Sequence, residues 1–325
     1  MDKRARVLAA LRGEAVDRVP ISFWGHHYVA ENSAQGLAQE TLRWAAEFDW
    51  DYLKPQSRAQ AFAEMWGLRY TPSQARGEKY VTTHVPLERA SELAHLRPAD
   101  PTSGALGEQI EALRQIRRAL GPEVPITWTV FSPLMVASFL VPGGANQLVD
   151  AARSDEAPVH AGLEAITETL RGYVRACLAT GADGVFYATN LATAGLLTLE
   201  ECARFQRPYD LRVLDAAGSA SFNVMHVCGA HAWFDACADY PVAAFSWAAG
   251  EGTPSLAEGY RRTGKATMGG LPKDLASLAT AEIGARVRSA RAGLEGRWLL
   301  LAAACSIDID TPADRLLAAR DAARA

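Results

Sequence analysis

His226 and Cys228 stand two residues apart near the end of an apolar run, Phe222-Asn223-Val224-Met225-His226-Val227-Cys228-Gly229. If the run is a strand, its side-chain period of two sends both donors to one face and Val227 to the other. An imidazole and a thiolate sharing a face are half of a zinc site. Cys305 ends a second apolar run, Trp298 to Cys305, and is the natural third donor. One nitrogen and two sulfurs leave a fourth position open, which is the pattern of catalytic rather than structural zinc. A His-x-Cys pair alone is common, and a buried cysteine is most often a small packing residue. The balance shifts because Cys305 closes a separate strand. Cys177, Cys202 and Cys237 fall within helical patterns and are expected to pack there. His231, in the loop after the pair, is expected either to support a ligand or to face solvent.

The elements that would position these donors alternate. Expected strands are Ile21–Trp24, Trp50–Pro55, Pro125–Phe131, Val185–Ala188, the His226 run, Val242–Trp247, Ala266–Gly270 and Trp298–Cys305. Helical spacing marks 2–12, 36–48, 104–120, 134–140, 156–180, 255–263, 281–292 and 314–323, and Thr198-Leu199-Glu200-Glu201 reads as a further helix start. Residues 56–100 are polar and irregular, with an extended patch near Tyr80–Val85, and read as an insertion over one end of the fold. Eight short strands alternating with helices predict a single-domain (β/α)8 TIM barrel over 1–325. The other arrangement, a doubly wound open sheet, lacks its nucleotide-binding marks, since neither Gly-x-Gly-x-x-Gly nor a Walker A pattern is present.

In a barrel the chemistry belongs at the carboxyl ends of the strands. That places His26 and His27 after the first strand, Lys54 on the second, Tyr187 and Asn190 at the fourth, and His226, Cys228 and Cys305 across the mouth. The 325 residues are 49% hydrophobic and 22% charged, with net charge -4 and pI near 6.0. Dispersed basic residues give no electrostatic case for nucleic acid, and no apolar run is long enough to span a bilayer. A charged amphipathic start and five unpaired-in-number cysteines predict a cytoplasmic protein without a disulfide framework.

Several landmarks occur in a fixed order: Val7-Leu8-Ala9-Ala10-Leu11-Arg12-Gly13-Glu14-Ala15-Val16-Asp17-Arg18-Val19-Pro20, Phe131-Ser132-Pro133-Leu134, Gly181-Ala182-Asp183-Gly184, Pro208-Tyr209, His226-Val227-Cys228-Gly229, Met268-Gly269-Gly270-Leu271 and Asp310-Thr311-Pro312. In this order the chain resembles the uroporphyrinogen decarboxylase superfamily over essentially its full length. The resemblance implies a (β/α)8 barrel. True decarboxylases of that family carry an arginine-rich loop after the first strand, where guanidinium groups meet substrate carboxylates. Here the corresponding stretch is Phe23-Trp24-Gly25-His26-His27-Tyr28, so a substrate with many carboxylates finds little to hold it.

The chain is more similar to the branch of methylcobamide:coenzyme M methyltransferases, whose zinc pattern is His-x-Cys followed by a distant Cys. That resemblance implies metal ligation by His226, Cys228 and Cys305 and methyl transfer to a thiol. The corrinoid (methylcobalamin) would be free or carried on a separate protein. Zinc lowers the proton affinity of a thiol in the open position and leaves it nucleophilic toward a methyl group. His26, His27, Lys54, Tyr187 and Asn190 are then candidates for binding the rest of the small-molecule thiol or for moving protons. Glu64 and Glu251 are candidate extra oxygen ligands. An exposed apolar barrel helix would support a homodimer. The competing expectations are a decarboxylase of a tetrapyrrole or similar carboxylated ring, and a non-catalytic barrel that binds a metal or ligand.

Overall fold

The computed structural model describes residues 1–218, 220–250 and 252–325. A short antiparallel hairpin, β1 (Arg69–Thr71) and β2 (Val81–His84), precedes a parallel sheet of six strands. These are β3 (Thr127–Phe131), β4 (Gly184–Thr189), β5 (Val224–Val227), β6 (Ala244–Trp247), β7 (Ala266–Leu271) and β8 (Leu299–Ala303), hydrogen-bonded in sequence order. Every residue of β3, β4, β5, β6 and β8 is buried. Burial on both faces explains why they read as apolar runs rather than as alternating strands.

The two earliest expected strands, Ile21–Trp24 and Trp50–Pro55, form single bridges rather than full ladders, Ile21 to Leu301 and Leu53 to Ile126. They nonetheless close the ring. Ser22 N donates to Leu301 O, Leu301 N to Pro20 O, Asp51 N to Ile21 O, Leu53 N to Pro125 O and Thr127 N to Leu53 O, all at 2.8–3.1 Å. The shortfall has a local cause. Pro20 and Pro55 have no N–H to give, and the amide of Ile21 is taken by the Asp51 carboxylate at 3.1 Å. Asp51 is fully buried and also accepts from Arg6 (2.7 Å) and Arg18 (2.8 Å), which ties the helix Lys3–Leu11 to the closing seam. The fold is therefore a parallel αβ barrel whose seam is held by a charged network as well as by the ladder.

Helices at Ala34–Phe48, Gly104–Leu120, Pro133–Leu140, Glu156–Thr180, Leu256–Thr263, Thr280–Gly293 and Ala313–Arg324 lie where periodicity placed them, within a residue or two. A helix at Gly144–Ser154 went unread in the sequence. The turn opened by Thr198 is a three-residue α-turn with a capping box, then a π-helical stretch, Cys202–Gln206, then the helix Arg207–Asp215. The stretch expected as an insertion holds the helix Ala61–Glu64, the hairpin and a 3-10 turn at Ala90–His95.

Candidate active site

Barrel register decides which residues meet. Ala188 of β4 pairs with His226 of β5, which pairs with Ser246 of β6. Phe186, Ala188 and His226 all line one cavity of about 410 Å³ at the carboxyl ends of the strands. The strand period then turns Tyr187 the other way. Its hydroxyl donates to Asp210 of the surrounding helix at 2.5 Å, and it does not line the cavity. The candidate role of Tyr187 in the chemistry is corrected on that ground: it belongs to the layer between sheet and helices.

His226, Cys228 and Cys305 converge, with one ligand atom from each lying within 4.8 Å of the others. They arrive from β5 and from the turn after β8. Cys228 N donates to Thr189 O at 2.8 Å and Ala304 N to Leu271 O at 2.7 Å, so neighbouring strands fix both approaches. The two sulfurs are 3.7 Å apart. That is far beyond the roughly 2.05 Å of a disulfide. It matches the separation of about 3.8 Å that two Zn–S bonds of about 2.3 Å subtend at a tetrahedral centre.

His226 Nδ1 lies 3.1 Å from Ser246 Oγ, while Nε2 is buried with no partner. If Nδ1–H donates to Ser246, Nε2 keeps a lone pair aimed at the two sulfurs, the tautomer that metal ligation requires. The contact with Cys228 draws the Cys305 proton affinity far down, with help from His226; the same contact, together with burial, pushes Cys228 up. A divalent cation at this point would hold both sulfurs as thiolates. The donor set, its spacing and the orphaned imidazole nitrogen all fit zinc.

Lys54 reaches the same cavity and is buried. Its ammonium sits 4.9 Å from the centre of the Phe186 ring and 5.5 Å from that of Trp24. Burial pushes it down to about 7, against the pull of Cys305, Glu31 and Cys228. It donates to Gln56 Oε1. Gln56 Nε2 donates to His26 Nε2 at 2.8 Å, and His26 Nδ1 donates to the buried Glu31 carboxylate at 2.9 Å. The four residues form one chain of bonds with a single direction, because the lysine can only donate and the carboxylate can only accept. His26 also stacks on Tyr28, with centroids 4.9 Å apart.

Asn190 lines the rim and is exposed. His27 faces a separate small cavity and accepts from Ala30 N at 3.2 Å. Glu64 is paired with Arg58 at 2.9 Å and is not among the clustered donors. Glu251 lies outside the described residues. His231 is exposed in another pocket, and Cys177, Cys202 and Cys237 are buried in helices. Burial raises the Cys202 thiol to about 12. The contributions of Ser246, Gln56, Glu31 and Phe186 were not read from the sequence. The signal available was their position on or beside barrel strands, and their partners are set only by register.

The chain matches the uroporphyrinogen decarboxylase (URO-D) family over residues 2–325. It belongs to that family. Its curated relatives divide between two names. A uroporphyrinogen decarboxylase of Alkalilimnicola ehrlichii is 27% identical, covering 73% of this chain and 70% of the relative. The methylcobamide:CoM methyltransferase MtbA of Methanosarcina acetivorans is 22% identical, covering 70% of each. The methylcobamide:CoM methyltransferase MtaA of Methanosarcina barkeri is 28% identical, covering 65% of this chain and 62% of the relative, under two thirds of its length. Among solved structures, a methyltransferase from Methanosarcina mazei superposes with a TM-score of 0.87 at 22% identity, covering 99% of this chain and 98% of that one. That likeness shows the barrel. Among the described residues no helix is long and apolar enough to cross a membrane.

Proposed function

We propose that this protein is a zinc-dependent methyl or alkyl transferase that activates a small thiol, with a methylated corrinoid, free or on a partner protein, as the other substrate. The observation that carries the reading is the convergence of His226, Cys228 and Cys305 on an open cavity, with sulfurs at tetrahedral spacing and Nε2 unpartnered. Zinc bound there would act as a Lewis acid that lowers the proton affinity of an incoming thiol.

The protein's own groups do the rest. Ser246 holds the His226 tautomer, and Phe186, itself backed by Trp24, stacks on the imidazole ring. The tetrapyrrole decarboxylase reading is disfavoured. Among the described residues no arginine lines this cavity, and Arg58 spends its donors on Glu64, Glu108 and the Glu31 carbonyl.

Metal analysis of protein expressed with added zinc tests the reading. About one equivalent is expected in wild type and little in His226→Ala or Cys305→Ser. Zinc well below one equivalent in wild type would remove the proposal. Addition of a thiol and methylcobalamin to the loaded protein should then give the spectrum of demethylated cobalamin.

A further inference from the structure

Between the sulfur cluster and the mouth, the cavity is walled by rings. Phe186 lies against the His226 imidazole at 5.1 Å, and Trp24 meets Phe186 edge-on at 5.4 Å. Farther out, Phe139 meets Phe131 edge-on at 6.4 Å, with Met135 beside them on the same cavity. Tyr80 stands at the rim. Set in this wall is one buried cation, Lys54. Of its three donors, one goes to Gln56 and the others have no hydrogen-bond partner among the described residues. Lys79 also lines the cavity but is exposed.

These features constrain the thiol. A sulfonate or phosphonate is best met by the planar fork of a guanidinium, and none faces this cavity. A two-carbon thiol with a charged tail could reach Lys54. It would leave Phe131, Phe139 and Met135 facing water in a cavity of about 410 Å³. Apolar walls of that extent favour a guest that covers them, and flat rings pair with edge-on and offset rings.

Resting on the transferase reading, we infer that the natural acceptor is a thiol with an aromatic or similarly flat apolar body and a single carboxylate-type anion. The sulfur sits at the His226, Cys228 and Cys305 cluster. The ring lies along Phe186, Phe131 and Phe139, and the anion pairs with Lys54. Lys54 and Phe139 are specificity residues in this arrangement, not members of the metal site.

Direct binding to the protein loaded with cobalt(II) tests this without relying on turnover, because a thiolate joining the metal gives a charge-transfer band. Four thiols serve as probes: mercaptomethylbenzoate, phenylmethanethiol, mercaptopropionate and mercaptoethanesulfonate. The benzoate should bind tightest, and both ring compounds should bind at least about tenfold tighter than the two short anionic thiols. Lys54→Met should weaken the benzoate about tenfold and leave phenylmethanethiol within about twofold. Phe139→Ala should weaken both ring compounds by about tenfold and spare the short thiols. An unchanged cobalt spectrum in each variant establishes that the site is intact. Mercaptoethanesulfonate or mercaptopropionate binding as tightly as the benzoate would overturn the inference and leave the transferase reading standing. So would equal weakening of all four by Lys54→Met. No band with any thiol would overturn the transferase reading itself, and this inference with it.

Discussion

Replacing Ser246 by alanine removes one hydroxyl, and its effect on metal binding is calculable from the site. His226 is buried and Ser246 Oγ is the partner of its Nδ1 at 3.1 Å. In the metal-free protein the imidazole can answer the loss by moving its proton to Nε2, on the side of the Cys305 sulfur, which can accept it. In the loaded protein Nε2 is committed to the metal, so the proton must stay on Nδ1 with nothing to receive it. A buried donor left unsatisfied costs about 1–3 kcal/mol. The penalty falls on the bound state alone. At about 1.4 kcal/mol per decade, zinc affinity should fall about ten- to hundredfold. Competition against a chromophoric chelator measures the change, and a denaturant titration of the metal-free proteins checks that their stabilities agree within about 1 kcal/mol. A Ser246→Ala protein that folds normally and binds zinc within about twofold of wild type would refute the argument. The His226 proton would then not be held by Ser246.

Three further outcomes follow from the geometry. Cys228→Ser and Cys305→Ser should each lower zinc affinity steeply, since a serine hydroxyl does not ionise as a cysteine thiol does; equal zinc content in variant and wild type would count against a shared site. Asp210 is fully buried between Tyr187 (2.5 Å) and Tyr240 (3.0 Å), and burial raises its carboxyl to about 7 from 3.8. Between those values the native state keeps a proton that the unfolded state has lost, so stability falls as pH rises through the window and levels off above it. Urea titrations from pH 4 to 8 should show this slope in wild type and not in Asp210→Asn; parallel curves would contradict it. Asp51→Ala leaves Arg6 paired with Asp17 alone and frees the Ile21 amide at the seam, so a loss of about 1–3 kcal/mol is expected in equilibrium unfolding, and a loss under about 0.5 kcal/mol would show the seam does not depend on it.

Much of the barrel was legible because its strands are buried on both faces and its helices keep a strict apolar period. The closing segments were legible as strands but not as single bridges, since a side chain substituting for a ladder bond leaves no trace in periodicity. Residues 144–154 were missed as a helix because Pro142-Gly143-Gly144 just before them reads as a break rather than a start. Tyr187 shows the limit most plainly. Its place at the end of a strand was right, but which alternate residues face the cavity depends on register with β5.

The sequence by itself determined that His226 and Cys228 stand together. Histidine and cysteine two apart on a strand must share a face, because strand geometry is local, and the full-length pattern named the family. Only the tertiary structure decided the rest. Cys305 lies far along the chain from Cys228, and closure of the sheet is what brings their sulfurs to 3.7 Å. Ser246, Gln56 and Glu31 acquire roles through partners on other strands and loops, contacts that no local spacing encodes. The aromatic walls around Lys54 come from separate strands and helices, so the character of the guest is a property of the assembled mouth and not of any one segment.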